Sequence, residues 1–101
     1  MTAPAELPEL IGWQPGVYQN ASALQATVRF TTFRALMRFI NLLADEAERV
    51  RHHPALTLDY TTLEIIWTTH DAGGLTERDY AMARWCNQTL DAFRATGELN
   101  V

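Results

Sequence analysis

The sequence predicts an α+β domain, with strands paired antiparallel and helices packed on one face of the sheet. Two stretches carry apolar residues at helical spacing. Runs of alternating apolar and polar residues precede the first stretch and fill the gap between the two. The links between neighbouring alternating runs are short, which favours antiparallel pairing. A chain of 101 residues makes one domain, since a second core would have too few residues.

Residues 1–11, which include Pro4 and Pro8, read as a loose lead-in, and residues 12–97 as the domain. Strand signals begin around Trp13 to Tyr18, interrupted by Pro15 and Gly16. Ala26 to Phe30 alternates small or apolar with polar residues, the pattern of a half-buried strand. Phe33, Leu36, Met37, Ile40, Leu43, Ala44 and Ala47 then recur at helical spacing. Thr31 or Thr32 caps that helix, because a hydroxyl there accepts an orphan backbone N–H. Asp45 and Arg49 attract at i,i+4. Pro54 pushes His53 into an extended conformation, so the helix stops near Arg51 or His52.

Leu56 to Tyr60 and Leu63 to Thr69 read as two further strands, the second rich in β-branched and aromatic residues. Gly73-Gly74 breaks the chain. Thr76 and Asp79 have the spacing of a capping box, and Met82, Trp85, Cys86, Leu90 and Phe93 form the buried stripe of a last helix that fades at Gly97.

Composition narrows the function. The chain has 8 basic and 12 acidic residues, a net charge of −4, and every basic residue is arginine. Lysine Schiff-base chemistry and a lysine-dependent phosphate loop are excluded. Arginines scattered among acids are poorly suited to gripping nucleic acid by its phosphates. Cys86 is the only cysteine, which fits a reducing compartment and rules out a disulfide framework. Met1 to Glu9 lacks a basic segment followed by an apolar run, so no signal peptide is expected, and no apolar stretch is long enough to span a membrane.

The three histidines, His52, His53 and His70, all fall where an element ends. Such positions expose functional groups on a rigid scaffold, and imidazole exchanges protons near neutral pH. Glu48 stands four residues before His52, so on a continuing helix it would share its face and fix its tautomer. Asp79 lies in the first turn of the last helix. Each has a plainer reading: His52 as a favourable charge at a helix C-terminus, Asp79 as the acid of the capping box, Glu48 as solvated surface, Cys86 as core. A three-histidine zinc or iron site is disfavoured, since His52 and His53 are adjacent and diverge at Pro54. Nucleophilic catalysis is weaker still, with Ser22 in a turn and no basic partner near Cys86. The residues alone therefore give a small α+β domain with a metal-free, histidine-based acid–base site, and no substrate.

The run Glu48-x3-His52-His53-Pro54-x5-Tyr60-x9-His70-x8-Asp79 resembles the signature of the pterin-4a-carbinolamine dehydratases. Thr68 to Asp79 resembles bacterial members throughout, and Gly12-Trp13 and Phe30 to Phe33 resemble the family's first strand and the approach to its long helix. The resemblance spans roughly residues 12–95. It implies a four-stranded antiparallel sheet with two or three helices on one face.

It also implies a hydro-lyase that dehydrates 4a-hydroxytetrahydropterin to quinonoid dihydropterin in tetrahydrobiopterin recycling, by histidine general acid/base catalysis without metal or redox cofactor. In that scheme His52 and His70 are the proton-transfer pair, and His53 binds near the 4a-hydroxyl. Glu48 orients His52, and Asp79 anchors the His70 side. Pro54, Tyr60 and Thr69 contact the substrate. Leu56 stands where the family usually has an aromatic residue, so the pocket wall is expected to differ there. The resemblance further implies a cytoplasmic homodimer or homotetramer, with Leu63 to Trp67 as the edge for pairing, and no nucleic-acid or membrane partner. The alternative is a non-catalytic interaction protein on the same fold, a coactivator or a Rubisco assembly factor with a protein partner.

Overall fold

The structure, a computed structural model, describes residues 10–100. Residues 1–9 of the lead-in expected at residues 1–11 lie outside the described residues. Strands β1 (Gln14–Tyr18) and β2 (Ala21–Arg29) are followed by helix α1 (Phe33–Val50), strands β3 (Ala55–Asp59) and β4 (Thr62–Trp67), a 3₁₀ turn at His70–Ala72, and helix α2 (Glu77–Ala95). The four strands form one antiparallel sheet in the order β1-β2-β4-β3.

The turns explain the hairpins. Gln19 and Asn20 both take positive φ, at 50° and 68°, matching a two-residue turn whose twist suits the flanking strands. Tyr60 does the same at φ 53° between β3 and β4, without the glycine or asparagine that makes such turns legible. Strand β2 starts at Ala21, earlier than alternation predicts. Its first half, Ala-Ser-Ala-Leu, has weak strand propensity, but pairing with β1 from Tyr18↔Ala21 to Gln14↔Gln25 holds it extended. Ser22 therefore lies in a strand and not in a turn.

Thr32 caps α1, its hydroxyl accepting from the Ala35 N–H at 3.1 Å. Arg49 pairs with Glu46 instead of Asp45. The helix is closed by Arg51, in left-handed backbone at φ 58°, with the amides of Arg51 and His52 both returning to the Ala47 carbonyl. A non-glycine residue there costs about 1 kcal/mol. Helix α2 opens with the capping box at Thr76 and Asp79.

Leu63, Ile65 and Trp67 alternate onto the face of β4 that the helices cover. Leu36, Phe39 and Leu43 of α1 and Met82, Cys86, Leu90 and Phe93 of α2 complete the core. Phe39 and Phe93 meet edge-to-face at a centroid distance of 5.9 Å. The core reaches past both expected domain bounds. Leu10 is fully buried, and Leu99 bridges Phe30 while Arg38 pairs with Glu98. Strand β4 is internal, flanked by β2 and β3, so the expected pairing edge at Leu63 to Trp67 is already used. The β3–β4 hairpin leaves β3 outermost. Among the described residues no helix is long and apolar enough to cross a membrane.

Candidate active site

The antiparallel topology brings six chain ends to one end of the sheet. There β1 and β4 finish, β2 and β3 begin, α1 stops and α2 starts. A hollow of about 410 Å³ opens at this end. Arg51, His52, His53 and Pro54 line it from the segment leaving α1, followed by Ala55. Thr68, Thr69, His70 and Asp71 line it from the segment leaving β4, with Tyr18, Ile66 and Arg78 completing the wall.

His52 is the most enclosed of the three imidazoles, 7% exposed, and stacks on Trp67 at 5.4 Å and 27°. Its Nε2 lies 2.6 Å from Asp79 Oδ1. An ionised carboxylate only accepts, so Nε2 carries hydrogen, and in the neutral ring Nδ1 is the bare acceptor. Asp79 is fully buried. Its Oδ2 accepts from the Thr69 hydroxyl at 2.7 Å and from the Thr76 N–H at 2.9 Å. The Thr76 hydroxyl lies 3.0 Å from Thr69 Oγ1, which accepts from it while donating to Asp79. A buried carboxylate without such partners would be strongly disfavoured. Here each oxygen is occupied, and the imidazole it holds has one orientation.

This differs from the expected pairing. Glu48 does not reach His52. Its Oε2 lies 2.5 Å from His53 Nε2, in an exposed pair. The i,i+4 rule requires helical backbone throughout, and Arg51 turns left-handed before His52 is reached. Asp79 consequently holds His52 through one oxygen and, through the other, Thr69 beside His70, while also capping α2 as the sequence indicates.

His70 is exposed on a loop closed by two reciprocal bonds, Thr69 N–H to Gly74 O at 3.2 Å and Gly74 N–H to Thr69 O at 3.1 Å. Gly74 has φ 155°, and a Cβ there would collide with the Ser22 hydroxyl. That hydroxyl accepts from the Leu75 N–H at 3.0 Å. Glycine at 74 thus lets the loop pass β2 closely.

Pro54 and Thr69 line the hollow with the histidines, whereas Tyr60 and Leu56 do not. Tyr60 lies at the opposite end of β3, roughly 17 Å away along five extended residues, and is 70% exposed. Leu56 pairs with Ile65 inside the strand and does not shape the wall. The sequence reading missed Trp67 as the surface beneath His52, and Arg51, Arg78, Tyr18 and Thr68 as lining. Trp67 was accessible in principle, as the last apolar position of the β4 alternation. The others carry no periodic signal. Among the described residues no three His, Cys, Asp or Glu side chains converge as a metal ion would need.

Fold and site together define a small α+β protein with a histidine-lined hollow at one end of its sheet. The model of the pterin 4 alpha carbinolamine dehydratase family matches residues 2–89, and the chain belongs to that family. A provisionally named pterin-4-alpha-carbinolamine dehydratase of Thermomicrobium roseum is 45% identical over 77% of this chain and 80% of its own length. Another, from Acidobacterium capsulatum, is 38% identical over 79% and 87%. Among solved structures, a transcriptional coactivator/pterin dehydratase from Brucella melitensis superposes with a TM-score of 0.72 at 28% identity, covering 87% of this chain and 95% of that one. A pterin dehydratase-like protein identified as a RuBisCO assembly factor in the alpha-carboxysome shares the fold, with a TM-score of 0.65 at 17% identity over 79% and 90%.

Proposed function

We propose that this protein dehydrates 4a-hydroxytetrahydropterin to quinonoid dihydropterin, the step that returns the oxidised cofactor of aromatic hydroxylation to a reducible form. The observation that carries the reading is the hollow itself, where His52, His53 and His70 meet and a buried carboxylate holds His52.

The reaction balances without a redox partner. The C4a–O bond breaks, and the oxygen leaves as water after taking a proton. The N5 lone pair forms the C4a=N5 bond, and N5 gives up its proton. His52 is the base at N5: its Nε2–H faces Asp79, Nδ1 receives the proton, and the carboxylate meets the charge that forms. His70, exposed on its loop, delivers the proton to the leaving oxygen, and His53 contacts the 4a-hydroxyl. Asp79 and Thr69 are positioning residues. Pro54 and the ring of His52, backed by buried Trp67, give the hollow flat, rigid walls. The same reading includes a cytoplasmic homo-oligomer that pairs through β3, one of the two edge strands of the sheet.

The test is the decay of 4a-hydroxytetrahydropterin followed by absorbance. The wild-type protein is expected to accelerate it over buffer, and His52→Ala and His70→Ala to remove about 10²–10⁴ of that acceleration each. Wild-type protein no faster than buffer ends the reading. A scaffold acting through a protein partner would give that result.

A further inference from the structure

The histidines occupy only part of the hollow; two arginines, Arg51 and Arg78, also line it. Arg38, Arg49, Arg84 and Arg94 each pair with a carboxylate. Arg29, Arg34, Arg51 and Arg78 have no carboxylate partner among the described residues, and of these four Arg51 and Arg78 both line this one hollow. Arg78 Nη2 donates to the Arg51 carbonyl at 2.8 Å, which ties its guanidinium to the segment carrying His52 and leaves its other donors without a partner among the described residues. Arg51 keeps a long charged side chain at a left-handed position, φ 58°, where glycine is the usual choice. An unfavourable backbone state retained at a site points to a role for its side chain. The acidic residue among the lining residues is Asp71, so two arginines and one carboxylate line the hollow in a chain whose net charge is −4.

A neutral pterin ring has no need of two guanidiniums. We propose that the hollow takes a pterin whose 6-substituent ends in an anionic group, a phosphate ester or a carboxylate, held by Arg51 and Arg78. The inference rests on the pterin reading above and names the substrate class within it. The planar fork of arginine matches either oxyanion in bidentate fashion. A volume of about 410 Å³ suits a bicyclic ring with a short substituent, at the lower end of ligand-sized sites.

The test measures equilibrium binding by pterin fluorescence with 6-hydroxymethylpterin, its phosphate monoester and pterin-6-carboxylate. Wild-type protein is expected to bind one of the anionic probes about ten- to a hundredfold more tightly than the neutral one. Which anion is preferred separates phosphate from carboxylate. Arg51→Gly and Arg78→Gln are each expected to cut that preference about tenfold. Arg51→Gly relieves backbone strain, so its urea midpoint should be no lower than that of wild type, and loss of preference cannot be put down to unfolding. Equal binding of the three probes, binding of none, or a preference that neither substitution moves overturns the proposal. Parallel turnover assays separate the two readings. Dehydration of neutral pterin with no anionic preference defeats the arginine proposal alone. An arginine-dependent anionic preference without turnover of any pterin defeats the dehydratase reading alone.

Discussion

Asp79 shows how much one side chain can fix. It starts α2, accepts from Thr69 and Thr76, and sets the tautomer of an imidazole 27 positions earlier in the chain. Asp79→Asn keeps the size but presents an amide N–H₂ to groups that donate. It is expected to lose about 1–3 kcal/mol of stability in urea unfolding. Activity should fall further than the folded fraction does, because His52 is left with the wrong nitrogen protonated; the ratio of kcat to folded protein checks this.

Cys86 behaves in the opposite way, as a group that the site does not use. Burial pushes its thiol up to about 12, with the Trp67 ring N–H a smaller opposing influence. That N–H is itself buried without a hydrogen-bond partner of good geometry. In the unfolded chain the thiol titrates near its ordinary 9.0, so between that value and about 12 the unfolded state binds fewer protons than the folded one. Stability contributed by the neutral thiol is therefore full below pH 9 and lost as pH rises through this window, by up to about 1.4 kcal/mol per pH unit. Cys86→Ala should be less stable than wild type at pH 8, and the gap should narrow by pH 10 in paired urea titrations. A thiol reagent at pH 8 should label Cys86 only in denaturant.

At the scale of elements, the ends of the helices matter more than their middles. Thr32→Ala removes the α1 cap and is expected to cost about 1 kcal/mol, read as a lower urea midpoint with unchanged turnover per folded molecule. The other end of α1 leads into the candidate site at His52 and His53, and there periodicity stops being informative. The helical spacing of Glu48 and His52 is real in the sequence, but the left-handed Arg51 swings His52 toward α2 and leaves Glu48 to His53. A similar limit applies to β2, whose first half is a strand through its neighbour and not through its own residues. By contrast β3, β4 and the capping box of α2 were legible, because alternation and cap chemistry are properties of a few consecutive residues.

For the whole molecule, strand order decides what is exposed. β4 lies inside the sheet, while β3 forms an edge with Leu56 and Leu58 exposed, at 39% and 42%. An uncovered apolar edge is a template for pairing. If the proposed homo-oligomer pairs through this edge, the double substitution Leu56→Lys, Leu58→Lys should lower the mass measured by light scattering toward that of one chain. A wild-type mass of one chain, or an unchanged mass in the variant, overturns pairing through β3. The hollow is a whole-molecule feature too, since it exists only where six chain ends coincide.

What the sequence alone determined is local: the type and order of the elements, the cap at Thr76, and the placing of each histidine at an element's end. These follow from side-chain periodicity and short-range hydrogen bonding, which neighbouring residues encode. Only the tertiary structure decided that Asp79 holds His52, that Tyr60 stands at the far end of the sheet, and that Arg51 and Arg78 face the same hollow as the imidazoles. Those meetings depend on how α1 and α2 pack on the sheet, and packing joins residues whose separation along the chain leaves no periodic trace.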